Sequence, residues 1–486
     1  MSFNYKDDSL MLHTDLYQIN MAETYWEDGI AEKNAVFEVY FRKLPFHNGY
    51  AVFAGLERVI QYLENLHFSE DDIEYLRQEG FKEDFLAHLR DLRFTGSLRS
   101  VKEGEVVFAN EPLMRIEAPL AQAQIVETAI LNIVNYQTLI ATKASRIKNV
   151  IGDEIAMEFG SRRAHELDAA LWGTRAAFIG GFSSTSNVRA GKLFGIPISG
   201  THAHSMIQAY HEEYIAFHKY ARRHKDCVFL VDTYDTLRSG VPTAIKVAKE
   251  LGDSINFRGV RLDSGDLAYL SKEARKMLDE AGFTDTKIVA SNDLDEYTII
   301  NLKAQGAKID IWGIGTKLIT AYDQPALGGV YKLVSIEDED GRMQDTIKIS
   351  GNPEKVTTPG LKRVYRIIND INGKSEGDYI CLESEHPETE ERLKMFHPTH
   401  TYISKFVTNF TAVDIHQDVF LNGKLVYETP DIYTIQKYSE QSLEILWDEY
   451  KRSLNPEEYP VDLSPLCWEN KMNLLEKVKV SIQNRK

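Results

Sequence analysis

The chain has few cysteines, the residues that form the disulfides of small secreted proteins and the ligands of many zinc sites. Its three cysteines, Cys227, Cys381 and Cys467, are widely spaced in 486 residues and form no C-x-x-C pair. An odd, scattered set of thiols predicts neither a disulfide framework nor a zinc site. No apolar run approaches the roughly 18 residues of a membrane span, and the polar N-terminal stretch lacks the apolar core of a signal peptide. We therefore expect a soluble, cytoplasmic protein without a membrane partner.

Positive charge is also scarce. Lys and Arg number 56 against 73 Asp and Glu, which gives a net charge of −17. A chain this acidic has no general attraction for nucleic acid, so any phosphate ligand needs a local cationic site. Hydrophobic residues at 43% and aromatic residues at 10% supply core for two or three domains. The composition predicts a globular enzyme with no nucleic-acid partner.

The middle third of the chain repeats one pattern, in which a short apolar run ends in polar residues and enters a helix. Its seven runs are IAMEFGSRR, AAFIGGFSSTSN, IPISGTHAHS, VFLVDTYDT, FRGVRLDSGD, IVASNDLDE and IDIWGIGTK. A spacing of roughly 20–30 residues is typical of βα units with right-handed crossovers. We predict an α/β fold: an irregular parallel α/β barrel over 151–350, a flanking α+β domain over 1–150 and a small appended domain over 351–486.

Polar residues follow these predicted strands. In a parallel barrel the strand ends converge on one face, where barrel active sites lie. The residues at those positions are Arg162, Ser186, His204, Asp232, Asp263, Asp293 and the Gly313–Lys317 turn. This convergence predicts a single polar site.

Two carboxylate pairs stand out among these strand ends. Asp263 and Asp266 flank a Ser-Gly turn two residues after Arg261, and Asp232 and Asp235 follow the preceding strand. Carboxylates at the rim of such a turn suit a Mg²⁺-bound phosphate or a sugar hydroxyl. The alternative is that each pair caps the helix that follows it.

The last strand end carries Gly313, Gly315, Thr316 and Lys317. Glycines allow close backbone approach, and barrel enzymes often bind phosphate at their final strand ends. The Walker A spacing is absent, so the turn is not a P-loop.

Two arginines follow the first strand of the repeat. Arg162 and Arg163 suit a phosphate or carboxylate through paired hydrogen bonds. Surface salt bridges to Glu158 or Glu166 are the alternative.

Histidines cluster after the third run. His202 and His204 lie two apart with His211 downstream, but no further soft ligand is in register for a metal site. A histidine here is either a hydrogen-bonded core residue or a covalent acceptor of a phosphoryl group.

Taken in order, the motifs TDLYQ, FGSRR, STSN, GTHAHS, VDTYD, RLDSGD, GIGTK and LGGVYKLV resemble those of nicotinate phosphoribosyltransferases, from residue 13 to about 367. Quinolinate and nicotinamide phosphoribosyltransferases share the broad architecture and some of these turns. The resemblance implies an irregular α/β barrel with a flanking α+β domain. It also implies a homodimer with active sites across the interface.

The activity that the resemblance implies joins nicotinate to 5-phosphoribosyl-1-pyrophosphate, giving nicotinate mononucleotide and pyrophosphate on the way to NAD. ATP hydrolysis is coupled through a phosphohistidine, and the matching position is His204. Mg²⁺ is expected to arrive on the pyrophosphate rather than in a protein cage, with Asp232 as the candidate carboxylate.

The resemblance also assigns substrate contacts. Tyr17 and Phe159 match an aromatic pair around the pyridine ring, while Arg162 and Arg261 match anchors for its carboxylate and nearby phosphates, with their roles undivided. Ser186 stands where nicotinamide enzymes carry Asp, which would repel the nicotinate carboxylate. The remaining implied contacts are Asp263 beside the pyridine and ribose, Asp232 and Asp266 for ribose and Mg²⁺, Ser291, Asn292, Gly313, Gly315 and Thr316 for the 5-phosphate, and Arg42 from the partner subunit.

Three alternatives remain at this point. The first is a nicotinamide-using or quinolinate-using enzyme on the same scaffold, and Ser186 argues against the amide. The second is a non-catalytic phosphosugar or nucleotide sensor. The third is an unrelated barrel enzyme such as an aldolase, for which Lys317 is the nearest Schiff-base candidate.

Overall fold

The computed structural model describes residues 10–352 and 355–484. Its contacts divide the chain into two compact units, one made of Met1–Thr138 with Ala326–Lys486 and the other of Leu139–Pro325. The two ends of the chain thus share one unit and contribute strands to the same sheet. The division into three domains stays a prediction.

The helices and strands are numbered in chain order. The helices are α1 (Leu16–Glu27), α2 (Leu56–Glu64), α3 (Glu70–Gln78), α4 (Glu83–Asp91), α5 (Leu120–Ile125), α6 (Glu127–Ile151), α7 (Glu166–Ile179), α8 (Val188–Phe194), α9 (His204–Tyr210), α10 (Glu213–Arg223), α11 (Val241–Leu251), α12 (Leu267–Glu280), α13 (Glu296–Ala304), α14 (Thr316–Ile319), α15 (Ile432–Glu444) and α16 (Pro465–Gln483). The strands are β1 (Asn34–Phe41), β2 (Ala51–Val52), β3 (Ser97–Val101), β4 (Val106–Val107), β5 (Met114–Pro119), β6 (Ile155–Glu158), β7 (Ser184–Thr185), β8 (Asp226–Leu230), β9 (Asn256–Leu262), β10 (Lys287–Ser291), β11 (Ile311–Ile314), β12 (Gly329–Glu337), β13 (Met343–Asp345), β14 (Lys362–Asn369), β15 (Ser375–Leu382), β16 (Arg392–Phe396), β17 (Ser404–Thr408), β18 (Phe410–Asp414), β19 (His416–Leu421), β20 (Lys424–Leu425) and β21 (Val461–Leu463).

The strands of the first unit pair antiparallel in its sheets, apart from the parallel pair β15 and β21. One sheet has seven strands in the order β13-β12-β1-β5-β3-β19-β20, and a second has six in the order β17-β16-β21-β15-β14-β18. The long strand β1 lies inside the seven-stranded sheet, paired with β5 on one side and β12 on the other, and it is buried along most of its length. Its Glu38 is buried with Lys362 at 3.0 Å. A charge pair in such a core is stable only when both partners are present.

The second unit holds the repeat predicted from the sequence. Its six strands are all parallel, in the order β7-β6-β11-β10-β9-β8. Apolar runs such as β10, buried at every residue after Lys287, suit a parallel sheet that is covered on both faces. The mixed α/β class and the curled parallel sheet are thus confirmed.

The sheet of the second unit stays open. The run IPISGTHAHS contributes only a parallel bridge from Ile198 to Thr185 of β7. Between this run and β8 no strand pairing closes the barrel within 10–352 and 355–484. The architecture is therefore a half-barrel with β7 and β8 at its edges, where seven consecutive strands were expected.

The loop after β8 folds back onto the end of its own strand. It contains a π-helical turn over Thr236–Gly240, and the Asp235 side chain accepts hydrogen bonds from the Leu237 and Arg238 amides of that turn. A Cβ at Gly240 would lie 1.8 Å from the carbonyl oxygen of Val231. Only glycine permits this approach, which fixes the strand end that carries Asp232.

None of the described helices is both long enough and apolar enough to cross a membrane.

Candidate functional site

Arg261 lies at the centre of the polar cluster in the second unit. Its guanidinium donates from Nε to Ser291 Oγ, from Nη1 to Thr201 Oγ1 and from Nη2 to Asp263 Oδ1, each at 2.9 Å. These partners come from three different segments of the chain. The segments can meet here because the carboxyl ends of parallel strands lie at one edge of a sheet. One side chain thus holds together the end of β10, the segment before α9 and the turn after β9.

Two carboxylates lie side by side at this edge. Asp232 Oδ2 accepts hydrogen bonds from the Asp263 amide at 2.9 Å and from the Ser264 hydroxyl at 2.5 Å. Asp263 Oδ1 accepts from Arg261 and from the Ser291 hydroxyl. The other oxygen of Asp232 is buried without a hydrogen-bond partner in the described part of the chain, and the side chain is 2% exposed. A buried oxygen without a partner can accept a hydrogen bond from a bound ligand or coordinate a cation that the ligand carries.

His204 faces both carboxylates from the first turn of α9. Its Nδ1 lies 3.0 Å from Thr233 Oγ1. Its Nε2 lies 3.9 Å from Asp263 Oδ2 and 4.0 Å from Asp232 Oδ1, and the side chain is 39% exposed. In the tautomer that donates from Nδ1 to Thr233, Nε2 carries a lone pair accessible to solvent.

Phe159 packs against the glycine turn. A Cβ at Gly313 would lie 2.7 Å from the Phe159 ring, and one at Gly315 would lie 3.0 Å from the Phe159 carbonyl oxygen. The guanidinium of Arg261 is 5.7 Å from the centroid of the same ring, within range of a cation–π interaction. In this structure the two glycines make room for Phe159, and their role in a phosphate cradle stays a prediction.

Glu158 is a buried carboxylate behind the site, and the sequence had suggested it only as a surface salt-bridge partner. It accepts hydrogen bonds from the Gly160 amide, from Thr174 Oγ1 at 2.9 Å and from Thr185 Oγ1 at 2.6 Å. Its carbonyl oxygen accepts from the Ser186 amide at 2.9 Å. Burial raises the pKa of Glu158, although these hydrogen bonds oppose the rise. The sequence feature that could have indicated a buried role for Glu158 is its position as the single acidic residue at the end of an apolar strand.

The two arginines after β6 are exposed, in a short turn over Ser161–Arg163. Neither the Arg162 nor the Arg163 guanidinium has a hydrogen bond or ion pair with the residues described. The suggested salt bridge to Glu158 is therefore not formed, because that carboxylate is buried and satisfied by other donors. Arg162 is left available to an anionic ligand.

Two of the candidate carboxylates cap helices. Asp266 Oδ1 accepts from the Tyr269 amide at 3.0 Å at the start of α12. Asp235 Oδ1 accepts from the Leu237 and Arg238 amides at 3.2 and 2.8 Å. The capping alternative is thus observed at both positions, and a contact of Asp266 with ribose stays a prediction.

The ends of β10 and β11 complete this edge of the sheet. Asn292 is exposed, and it and Asp293 both adopt positive φ, at 95° and 45°. Thr316 begins the short helix α14, and Lys317 Nζ lies 2.6 Å from Asp295. Burial opposes ionisation of Asp295, but the hydrogen bonds from Lys317 and its own helix lower its pKa overall. The ε-amino group of Lys317 is engaged in this contact with Asp295, which argues against a Schiff-base role.

Three further candidates are outside the hydrogen-bonded cluster around Arg261: Tyr17, Arg42 and Ser186. Tyr17 and Arg42 lie in the first unit, where the Tyr17 hydroxyl accepts from Gln18 Nε2 at 3.2 Å and Arg42 follows β1. Ser186 is exposed after β7. Their roles in substrate binding stay predictions.

A polar site at the carboxyl edge of an open parallel α/β sheet is typical of enzymes that bind nucleotides and phosphosugars. Comparison with known proteins narrows that class. Family models of nicotinate phosphoribosyltransferase match three segments: the N-terminal domain at residues 12–135, the family model at 155–371 and the C-terminal domain at 361–471.

Similar proteins cover nearly the whole chain. A nicotinate phosphoribosyltransferase of Bacillus subtilis is 70% identical over 484 residues, 99% of each chain. A crystal structure of human nicotinic acid phosphoribosyltransferase is similar with a TM-score of 0.84 at 28% identity, over 95% of this chain and 99% of the other. A nicotinate-nucleotide pyrophosphorylase from Pyrococcus furiosus shares the fold, with a TM-score of 0.70 at 24% identity over 92% and 99%. The chain belongs to the nicotinate phosphoribosyltransferase family, as its motifs indicated.

We predict that Glu158→Gln lowers the melting temperature by about 2–10 °C, because the amide side chain cannot satisfy all three donors and leaves one unpaired at about 1–3 kcal/mol. Scanning calorimetry checks this. Glu212→Gln, which alters an exposed carboxylate, is the matched control and should leave the melting temperature unchanged. Equal melting temperatures for both variants would contradict the role assigned to Glu158.

Proposed function

We propose that this chain transfers the phosphoribosyl group of 5-phosphoribosyl-1-pyrophosphate to nicotinate, forming nicotinate mononucleotide and pyrophosphate in NAD biosynthesis. One observation carries the proposal. The Arg261 cluster forms in a chain that is 70% identical, over nearly its full length, to a protein named nicotinate phosphoribosyltransferase.

The transfer requires no nucleophile from the protein. The bond from ribose C1 to the pyrophosphate oxygen breaks, positive charge builds at C1, and the pyridine nitrogen supplies the electron pair of the new C–N bond. Asp232 and Asp263 offer negative charge toward this cationic sugar. Catalysis of this kind consists of positioning and electrostatic stabilisation.

Two arginines have different roles in binding the substrates: Arg261 is held in place by the protein, and Arg162 is free to contact a ligand. Arg261 is held by three hydrogen bonds and lies over the Phe159 ring, so we infer that it fixes the ring face against which a flat pyridine stacks. Arg162 has no partner among the described residues. It is therefore the guanidinium free to pair with a carboxylate or phosphate.

The residues present fit Mg²⁺ that arrives with its own ligands. No group of three or more His, Cys, Asp or Glu side chains among the described residues is arranged to hold an ion. The free, buried oxygen of Asp232 suits one inner contact with an ion otherwise held by diphosphate oxygens. When bound, Mg²⁺ supplies positive charge that stabilises the departing pyrophosphate.

ATP coupling through His204 is part of the proposal. Its Nε2 would attack the γ-phosphorus of ATP as the bond to ADP breaks, and water would later cleave the P–N bond. A phosphoryl group there adds roughly 1.5–2 negative charges beside carboxylates that lie 3.9 and 4.0 Å from Nε2. That repulsion offers a physical reason for the phosphorylated and free enzymes to bind substrates differently.

A homodimer is also proposed, in which Arg42 of each copy contributes to its partner's site. A cytoplasmic location belongs to the same proposal.

The experiment that tests the function is product formation from nicotinate or nicotinamide with 5-phosphoribosyl-1-pyrophosphate and Mg²⁺, with and without ATP. We expect nicotinate mononucleotide from nicotinate only, formed faster with ATP. Nicotinamide turnover would favour the amide-using alternative. Ligand binding without any product would favour the sensor.

Ser186→Asp should lower kcat/KM for nicotinate by about tenfold or more, since a carboxylate near the pyridine carboxylate costs at least ~1.4 kcal/mol. Steady-state assays with nicotinate check this prediction. Ser186→Asn, similar in size but neutral, is the matched control and should retain more activity. Equal losses in both variants would show that charge at this position does not select the acid.

His204→Ala should abolish both ATP stimulation and acid-labile phosphate on the protein while some ATP-independent turnover remains, because transfer itself uses no histidine nucleophile. Phosphoprotein analysis with γ-labelled ATP and parallel rate measurements check both effects. His211→Ala, at an exposed histidine nearby, is the control. ATP-stimulated turnover in His204→Ala would overturn the assignment.

A further inference from the structure

One side chain reaches the β8 edge of the open half-barrel. The segment after Ile198, which bridges the β7 edge, brings His202 to the opposite edge of the sheet. There Nε2 of His202 accepts a hydrogen bond from the Leu230 amide, at the end of β8, at 3.2 Å. The imidazole thus satisfies a backbone donor at an edge of the sheet that has no paired strand among the residues described.

The ring is held firmly in this position. His202 is 7% exposed, and its ring packs against those of Tyr220 at 5.0 Å and Phe217 at 5.8 Å, both on α10. Burial lowers the pKa of His202 to about 4. The ring is therefore neutral near pH 7 and keeps the Nε2 lone pair that the Leu230 amide requires.

Residues on both sides of this contact belong to the polar cluster. Thr201, just before His202, accepts from Arg261 at 2.9 Å, and His204 follows two residues later. On the strand side, Leu230 lies two residues before Asp232. The hydrogen bond of His202 therefore acts together with the contact between His204 and Thr233. Both link the segment that carries His204 to the strand end that carries Asp232.

We propose that His202 is a positioning residue for the phosphoribosyltransferase site, holding the Thr201–His204 segment against the end of β8 so that His204 stays opposite Asp232 and Asp263. This role rests on the proposed function of the site. It separates the two histidines of the motif: the exposed His204 is available to ligand, while the buried His202 serves as a backbone acceptor.

Two substitutions separate the hydrogen bond from the packing. His202→Phe keeps an aromatic ring but removes the acceptor, whereas His202→Gln places an amide oxygen near the position of Nε2. We expect His202→Phe to lower kcat with ATP by about tenfold or more with a smaller change in KM, and His202→Gln to recover most of that loss. Melting temperatures report whether each variant folds.

Hydrogen exchange tests the contact without the activity assay. In the full-length protein, peptides covering residues 226–235 should exchange faster in His202→Phe than in the wild type, with recovery in His202→Gln. Wild-type exchange and kinetics in His202→Phe would overturn the proposal, as would equal impairment of both variants. If the wild type forms no nicotinate mononucleotide, the proposed function fails, while faster exchange in His202→Phe would still support the contact.

Discussion

The site depends on one guanidinium with three partners. Arg261 reaches Thr201, Asp263 and Ser291, and each partner belongs to a different strand-to-helix connection. The fork geometry of arginine makes this possible, because its N–H groups point in fixed and divergent directions. Lysine could supply the charge but not the same three fixed directions.

Around Arg261, the polar side chains of Glu158 and His202 are buried, although apolar side chains would cost less desolvation free energy there. Glu158 ties the Phe159 turn to the Ser186 turn, and His202 ties the Thr201 segment to β8. Glu158 accepts from several donors, and Nε2 of His202 accepts from one well-placed amide. These contacts limit the arrangements that the loops can adopt. One oxygen of Asp232 is buried without a hydrogen-bond partner among the described residues, and it lies 4.0 Å from Nε2 of the half-exposed His204. A ligand is expected at this point.

The candidate site was predictable to the extent that its residues follow strands. Asp232, Asp263 and His204 were selected from strand-end positions, and Arg261 from the strand just before Asp263. Ser291 was implied only by the family resemblance. The fold brings all five together. Asp266 and Asp235 satisfied the same pattern yet cap helices, because a carboxylate after a strand is also at the start of the next helix. Local spacing cannot distinguish these roles, since the direction of the side chain depends on the turn.

Other features required the tertiary structure. The sequence by itself determined the mixed α/β class, the parallel repeat and the family, because apolar periodicity and turn motifs are local and survive without knowledge of contacts. Whether the sheet closes was decided by pairing between distant segments, and here the run around Ile198 pairs only with β7. The supporting roles of Glu158, Thr233 and His202 likewise arise from contacts across 27 to 29 residues. A hydrogen bond between such distant segments leaves no periodic trace along the chain, so only the folded arrangement reveals it.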